Sequence, residues 1–80
     1  MVVFRGNQPP PPMTAYQPLA LLKSDTAMAV KCQKQMNLAI NRSDYLAYER
    51  HAHTQEMAMR RPSFDWQQFK SLCKTYGVMF

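Results

Sequence analysis

The feature that most constrains this chain is a long stretch, residues 26–61, that contains neither glycine nor proline. Alanine, methionine, glutamine, lysine, leucine and glutamate dominate it, and these residues are strong helix formers. Ser24 or Asp25 can cap its start, and Pro62 ends it because proline cannot continue a helix. The sequence therefore predicts an all-α fold whose main element is one long helix over about 25–61.

A candidate break interrupts this stretch at residues 41–44, which read Asn-Arg-Ser-Asp. Side chains of this kind compete for backbone hydrogen bonds. The apolar stripe of the first half, at positions such as Cys32 and Met36, also moves in the second half to a new set that includes Leu46. One continuous helix is the first prediction. A helix broken near 41–44, with Ser43 capping a second helix, is the alternative.

A shorter helix is predicted over about 64–76. Ser63 can cap its start, and the apolar residues within it recur on one face. Gly77 suits the left-handed conformation that often follows a helix, and Val78 can close a Schellman motif against Cys73. This segment is the more clearly delimited of the two predicted helices.

The two predicted helices are expected to pack as a hairpin that turns at 61–63. Trp66 and Phe69 lie on the face that a returning helix would present to residues 46–57. The sequence therefore predicts a hairpin core made by Met36, Ile40, Leu46, Trp66, Phe69, Leu72 and Tyr76. This helical region occupies residues 19–80.

Residues 1–18 are predicted to form an extended, proline-rich arm. Prolines 9–12 are consecutive and favour a polyproline II rod, which has no internal hydrogen bonds. Apolar side chains in this arm and at the C-terminal end have no helix of their own in which to be buried. An arm that lies along a partner is the prediction and a disordered tail is the alternative. The residues predicted to dock are Phe4, Tyr16, Val78, Met79 and Phe80.

The size of the chain points to a partner. A globule of 80 residues buries only about 60% of the surface that its unfolded chain exposes. Such small chains usually need disulfides, a metal or a partner, and two cysteines are too few for a disulfide scaffold. Seven methionines add side chains that adapt to irregular surfaces. The sequence therefore predicts a subunit of a larger assembly.

The sequence offers no catalytic, cofactor or metal site. His51 and His53 lie about 200° apart on a helix of 3.6 residues per turn, so they cannot share one metal ion. Neither Cys32 nor Cys73 has the orienting base that a nucleophile needs. We therefore expect a protein that is not an enzyme and holds no cofactor. Whether the two cysteines form a disulfide remains open at this point.

The net charge and the lack of a long apolar run bear on which assembly this subunit would join. The net charge is +5, and no apolar run approaches the ~20 residues of a membrane span. The predicted function is a non-catalytic accessory subunit of a mitochondrial energy-converting membrane complex, a respiratory complex or ATP synthase. Mitochondrial localisation is expected first and cytoplasmic localisation otherwise.

Two alternatives remain. A peripheral protein of an organellar ribosome would contact RNA through Arg60, Arg61, Lys70 and Lys74, although ten Lys and Arg residues are few for that role. A free-standing adaptor would present its proline-rich arm to aromatic-lined grooves.

Overall fold

The computed structural model describes residues 17–80, which form three α-helices and a short 3-10 helix, with no strand in that part of the chain. The 3-10 helix spans Leu19–Leu21, and the α-helices span Asp25–Asn41 (α1), Tyr45–Met59 (α2) and Trp66–Tyr76 (α3). The all-α prediction is confirmed for these residues. The predicted arm lies outside the described residues, apart from its last two positions.

The prediction of one continuous helix over 25–61 is wrong, because the chain turns between α1 and α2. Ser43 takes a left-handed conformation, with φ of 56°. The Asp44 N–H donates to the Ala39 carbonyl at 2.8 Å and the Ser43 N–H to the Ile40 carbonyl at 3.0 Å, which is the bonding pattern of a Schellman motif. The alternative of a break near 41–44 is therefore the observed one.

The cap of α2 is Asp44 rather than the predicted Ser43. The Asp44 carboxylate accepts a hydrogen bond from the Ala47 N–H at 3.2 Å. Ser43 cannot cap, since its left-handed backbone already ends α1. Ser43 therefore terminates α1, and the adjacent Asp44 caps the start of α2.

The hairpin of this protein is made by α1 and α2. The chain also turns near the predicted 61–63, between α2 and α3, but the predicted packing of the last helix on residues 46–57 is not the one observed. The Gln55 amide donates to the Ala29 carbonyl at 3.1 Å and to the Gln33 side-chain oxygen at 2.9 Å. These contacts join the second half of α2 to the first half of α1, so the two helices run antiparallel from the turn at 42–44. The break lets the second half of the long stretch fold back on the first.

Helix α3 lies against α1 and runs parallel to it. Its N-cap residue, Asp65, donates a backbone N–H to Thr26 Oγ1 at 3.0 Å, beside the start of α1. Beyond its other end, the Met79 carbonyl accepts from the Asn37 amide at 2.7 Å, beside the second half of α1. The predicted cap Ser63 instead donates its hydroxyl to Asp25, and the Asp65 carboxylate caps α3.

The core is built mainly from small side chains. Alanines on α1 and α2 are buried, and small residues let two helix backbones approach closely. The buried cluster contains Val30 and Phe69 as its largest members and is completed by Ala29, Ala58, Cys73 and Val78. Large apolar side chains therefore find little room between the helices.

Only some of the seven residues predicted to form the hairpin core are buried. Leu46 is 73% exposed and Trp66 is 55% exposed, and Ile40 is also exposed, so the prediction is wrong for these three. It assumed that α3 packs on residues 46–57, whereas that segment packs on α1 and turns Leu46 outward. Met36 and Phe69 are buried, and the remaining two predicted residues are half-buried, namely Leu72 and Tyr76.

The C-terminal end of α3 carries the predicted Schellman motif. Gly77 has φ of 67°, the Val78 N–H donates to the Cys73 carbonyl at 2.8 Å, and the Gly77 N–H donates to the Lys74 carbonyl at 3.4 Å. Val78 is buried in the chain's own core, so its predicted function as a partner-docking residue is wrong. The motif reverses the chain, and residues 78–80 return along α3.

We expect Gly77→Ala to lower the free energy of unfolding by about 1 kcal/mol. A left-handed backbone costs an L-residue about 1–2 kcal/mol, and alanine recovers part of this by restricting the unfolded chain. No atom lies within 4 Å of an added Cβ, so no steric clash contributes. Urea unfolding followed by circular dichroism measures the change, with Gly77→Asn as the better-tolerated control. A loss above about 3 kcal/mol would contradict the open space around Gly77.

Candidate functional site

Four aromatic side chains, which we call the aromatic cluster, meet at the N-terminal end of α3: Phe64, Trp66, Phe69 and Phe80. The Phe64 and Trp66 ring centroids are 5.2 Å apart with the planes at 87°, and those of Trp66 and Phe69 are 5.6 Å apart at 77°. Phe80 closes on Phe69 at 5.3 Å and 69°. These are the edge-to-face geometries that aromatic rings prefer.

The cluster is anchored on one side and open on the other. Phe69 is only 1% exposed, so its ring is part of the core. Phe80 is 68% exposed, Trp66 is more than half exposed, and the neighbouring Met79 is also exposed. Buried Phe69 thus holds two outward rings in a defined arrangement. The exposed side is a rigid apolar surface suited to binding.

A series of amide hydrogen bonds holds the C-terminal residues over α1. Gln55 of α2 donates to Gln33, Gln33 donates to Asn37 at 3.1 Å, and Asn37 donates to the Met79 carbonyl. Gln33 and Asn37 each accept from one neighbour and donate to the next. The position of Met79 and Phe80 therefore depends on the packing of α2 against α1. Beside this series lies an open groove of about 550 Å³ that Ile40, Tyr48 and Met79 help to line.

A second exposed surface lies on the outer face of α2 and is called here the α2 outer face: Leu46, Arg50, His53 and Met57. Their spacing of three or four residues places them on one side of the helix. All four side chains are exposed, and Tyr45 is exposed at the start of the same helix. A shallow cavity of about 420 Å³ lies along part of this face. The face mixes apolar and basic groups.

The metal-ligating side chains and the two cysteines do not form a reactive site among the described residues. No cluster of three or more His, Cys, Asp or Glu side chains within the described part of the chain is able to hold a metal ion. Cys32 and Cys73 are free, buried thiols, and burial raises the pKa of both above the ordinary value. A raised pKa keeps each thiol in its neutral, weakly nucleophilic form.

The four basic residues predicted to contact RNA do not form one block. Arg60 ends α2 and pairs with Glu56 at 2.8 Å, an exposed i, i+4 ion pair that contributes little to stability. Lys70 and Lys74 share the exposed face of α3, and Arg61 is exposed in the connection before it. Their charges are available to an anionic partner without defining a binding site.

Residues 17–22 lie across α1 and α3. The Tyr76 hydroxyl donates to the Gln17 carbonyl, and the Lys31 ammonium donates to the carbonyls of Ala20 and Leu22. Leu19 packs against the buried cluster. Two of the residues predicted to dock, Phe4 and Tyr16, lie outside the described residues.

The sequence analysis missed several residues of these surfaces. It left Phe64 and Met57 without a function, and it assigned Trp66 to the core. The dense run of aromatics at 64–69 was the available signal for the cluster. The chain reversal at Gly77 was predicted, but the contact of Phe80 with Phe69 that follows it was not.

None of the helices in the described part of the chain is long and apolar enough to cross a membrane. No family model, curated protein or solved structure matches the chain.

Proposed function

We propose that this protein is a non-catalytic accessory subunit of a large multi-protein assembly. The observation that carries the proposal is the distribution of apolar side chains. Alanines and cysteines make up much of the interior, whereas ten large apolar side chains are exposed among the described residues. Leu46, Trp66 and Phe80 are more than half exposed. Exposed apolar side chains that are grouped on one surface are typical of a site that binds another protein.

A partner that buries these exposed side chains would gain a substantial binding free energy. Burying apolar surface stabilises by about 25 cal/mol per Å², or about 1.5–3 kcal/mol for a fully buried leucine or phenylalanine. Several such residues on one face supply the anchors that dominate protein interfaces. The α2 outer face presents Leu46 and Met57 with Arg50 between them, so it is the surface proposed to dock on a protein subunit.

As host we propose first a mitochondrial energy-converting membrane complex. The thin core, the seven methionines and the modest net charge of +5 support an accessory subunit bound at the surface of such a complex. A peripheral protein of an organellar ribosome is the second candidate, supported by exposed Lys70 and Lys74 on one face of α3. The function of the protein in either host is to stabilise neighbouring subunits.

The α2 outer face is tested by Leu46→Glu. A carboxylate in a dry interface carries a desolvation penalty, so we expect the tagged variant to lose its partners in an affinity purification followed by mass spectrometry. Folding should persist, because Leu46 is exposed. Gln35→Glu is the matched control, since it adds the same charge at an exposed position on α1 and should retain the partners.

Three outcomes distinguish the proposals. Loss of the same set of membrane-complex subunits from Leu46→Glu alone supports the first host. Co-purified ribosomal RNA and ribosomal proteins support the second. A wild-type chain that elutes as a stable lone monomer and captures no subunits contradicts the accessory-subunit function.

A further inference from the structure

The connection between α2 and α3 carries a serine that follows two arginines. Residues 60–64 read Arg-Arg-Pro-Ser-Phe, so Ser63 has guanidinium groups three and two positions before it and an aromatic ring directly after it. No other hydroxyl residue of the sequence has arginines at both positions, because residues 60 and 61 are its only adjacent arginines. Kinases distinguish substrates by charge patterns of this kind, and carboxylates are the groups that recognise guanidinium.

The structure leaves this serine accessible. Residues 60–65 lie between two helices, and the side chains of Ser63 and both arginines are exposed. Arg60 pairs with Glu56 in an exposed ion pair, which contributes little and is easily exchanged for another carboxylate. A kinase that reads residues 60–64 must also draw out the half-buried ring of Phe64. A short connection opens locally at a lower cost than a helix, so this segment can reach an enzyme while the helices persist.

The Ser63 hydroxyl also belongs to the contact between the starts of α1 and α3. It donates a hydrogen bond to the carboxylate of Asp25, the first residue of α1. Two residues later, the Asp65 N–H donates to Thr26 Oγ1, and the Asp65 carboxylate caps α3. A negative charge added at Ser63 would therefore meet the carboxylate that its hydroxyl now bonds, with a second carboxylate two residues further along the chain.

We propose that Ser63 is the phosphorylation site of an arginine-directed serine kinase, and that the phosphate loosens the start of α3 from the start of α1. The kinase transfers the γ-phosphoryl group of ATP. The bond from Ser63 Oγ to phosphorus forms, the bond from phosphorus to the β–γ bridging oxygen breaks, and ADP leaves. The hydroxyl proton passes to a carboxylate base of the kinase. The inference is independent of the proposed function.

The phosphate changes the contact in two ways. The phosphoserine oxygen has no proton to donate, so the hydrogen bond to Asp25 is lost. The new group carries a charge of about −1.5 to −2, which that carboxylate repels. A helix N-terminus offers only about half a positive charge in return, and the N-cap position of α3 is already occupied by the Asp65 carboxylate. Repulsion therefore outweighs the attraction of the helix ends.

The site is tested by incubating the purified full chain with ATP and the catalytic subunit of cyclic-AMP-dependent protein kinase, followed by mass spectrometry of its peptides. We expect a phosphate on Ser63. Arg60→Gln combined with Arg61→Gln should lower the initial rate about tenfold or more, because each guanidinium loses hydrogen bonds to a charged group.

Lys70→Gln combined with Lys74→Gln is the matched control. It removes two positive charges from exposed positions on α3 and should keep the wild-type rate. Far-UV circular dichroism should be the same for all these proteins. A wild-type chain that takes no phosphate on Ser63 overturns the proposal. An arginine double variant that is modified as fast as the wild type does so too.

The loosening is tested by thermal unfolding before and after phosphorylation. We expect the phosphate to lower the melting temperature by about 4–8 °C in a domain of this size. In Asp25→Asn the phosphate meets no carboxylate at this position, so the decrease should be at most about half as large. Glu49→Gln removes a carboxylate from an exposed position on α2 and should show the full decrease. A melting temperature that phosphorylation leaves unchanged or raises would overturn the loosening, as would an equal decrease in Asp25→Asn.

Discussion

Phe69→Ala is expected to lower the free energy of unfolding by about 3–5 kcal/mol. Phe69 is the largest fully buried side chain among the described residues, and it contacts the other three rings of the aromatic cluster. A chain of 80 residues has a total stability of about 4–12 kcal/mol, so the loss should be a large fraction of it and should lower the melting temperature markedly. Urea unfolding followed by far-UV circular dichroism measures the loss.

Trp66→Ala is the control for this prediction. Its indole is more than half exposed, and it retains two edge-to-face contacts, so its removal should cost only about 1–2 kcal/mol. The sequence analysis had placed Trp66 in the hairpin core, where its removal would cost as much as that of a buried aromatic. A Trp66 variant that is destabilised as strongly as the Phe69 variant would show that the indole, and not Phe69, closes the core.

Gln55→Met is expected to lower the free energy of unfolding by about 1–3 kcal/mol. The substitution keeps the length of a buried side chain but removes the amide that bonds Ala29 and Gln33 across the α1–α2 interface. The Gln33 oxygen then loses its donor, and the series through Gln33 and Asn37 loses its first member. The loss is measured by the same urea unfolding experiment.

Gln35→Met supplies the matched control for Gln55. Gln35 is exposed on α1, so the same chemical change should alter the stability by no more than about 0.5 kcal/mol. Nuclear magnetic resonance should also show altered signals of Met79 in the Gln55 variant, because the amide series ends at its carbonyl. Equal stability of the two methionine variants would contradict a structural function for the buried amide.

Helix boundaries were the part of the fold most accessible from sequence. The start near Asp25, the stop before Pro62 and the left-handed Gly77 follow from caps and stop signals that act within one turn of helix. The choice between a continuous helix and a break at 41–44 was harder. Serine takes a left-handed conformation less readily than glycine, so Ser43 carried only a weak signal.

The candidate site was less accessible than the helices. Phe80 was predicted to dock on a partner, which stays a prediction, and its contact with Phe69 was not predicted. Trp66 and Leu46 were assigned to a core because their spacing fits a helical face. Spacing identifies an apolar face without identifying what covers it.

The sequence by itself determined the outer limits of the helical stretches and the glycine that ends the last helix, whereas the break after α1 was only its alternative and two of the predicted caps were wrong. Those limits depend on interactions among residues a few positions apart, which the sequence displays directly. Only the tertiary structure decided which helices pair and which apolar residues are buried. Alanines on α1 and α2 allow a close approach, so small residues fill much of the interior, and ten large apolar side chains remain exposed among the described residues. That outcome depends on the fit between distant segments, and no local pattern contains it.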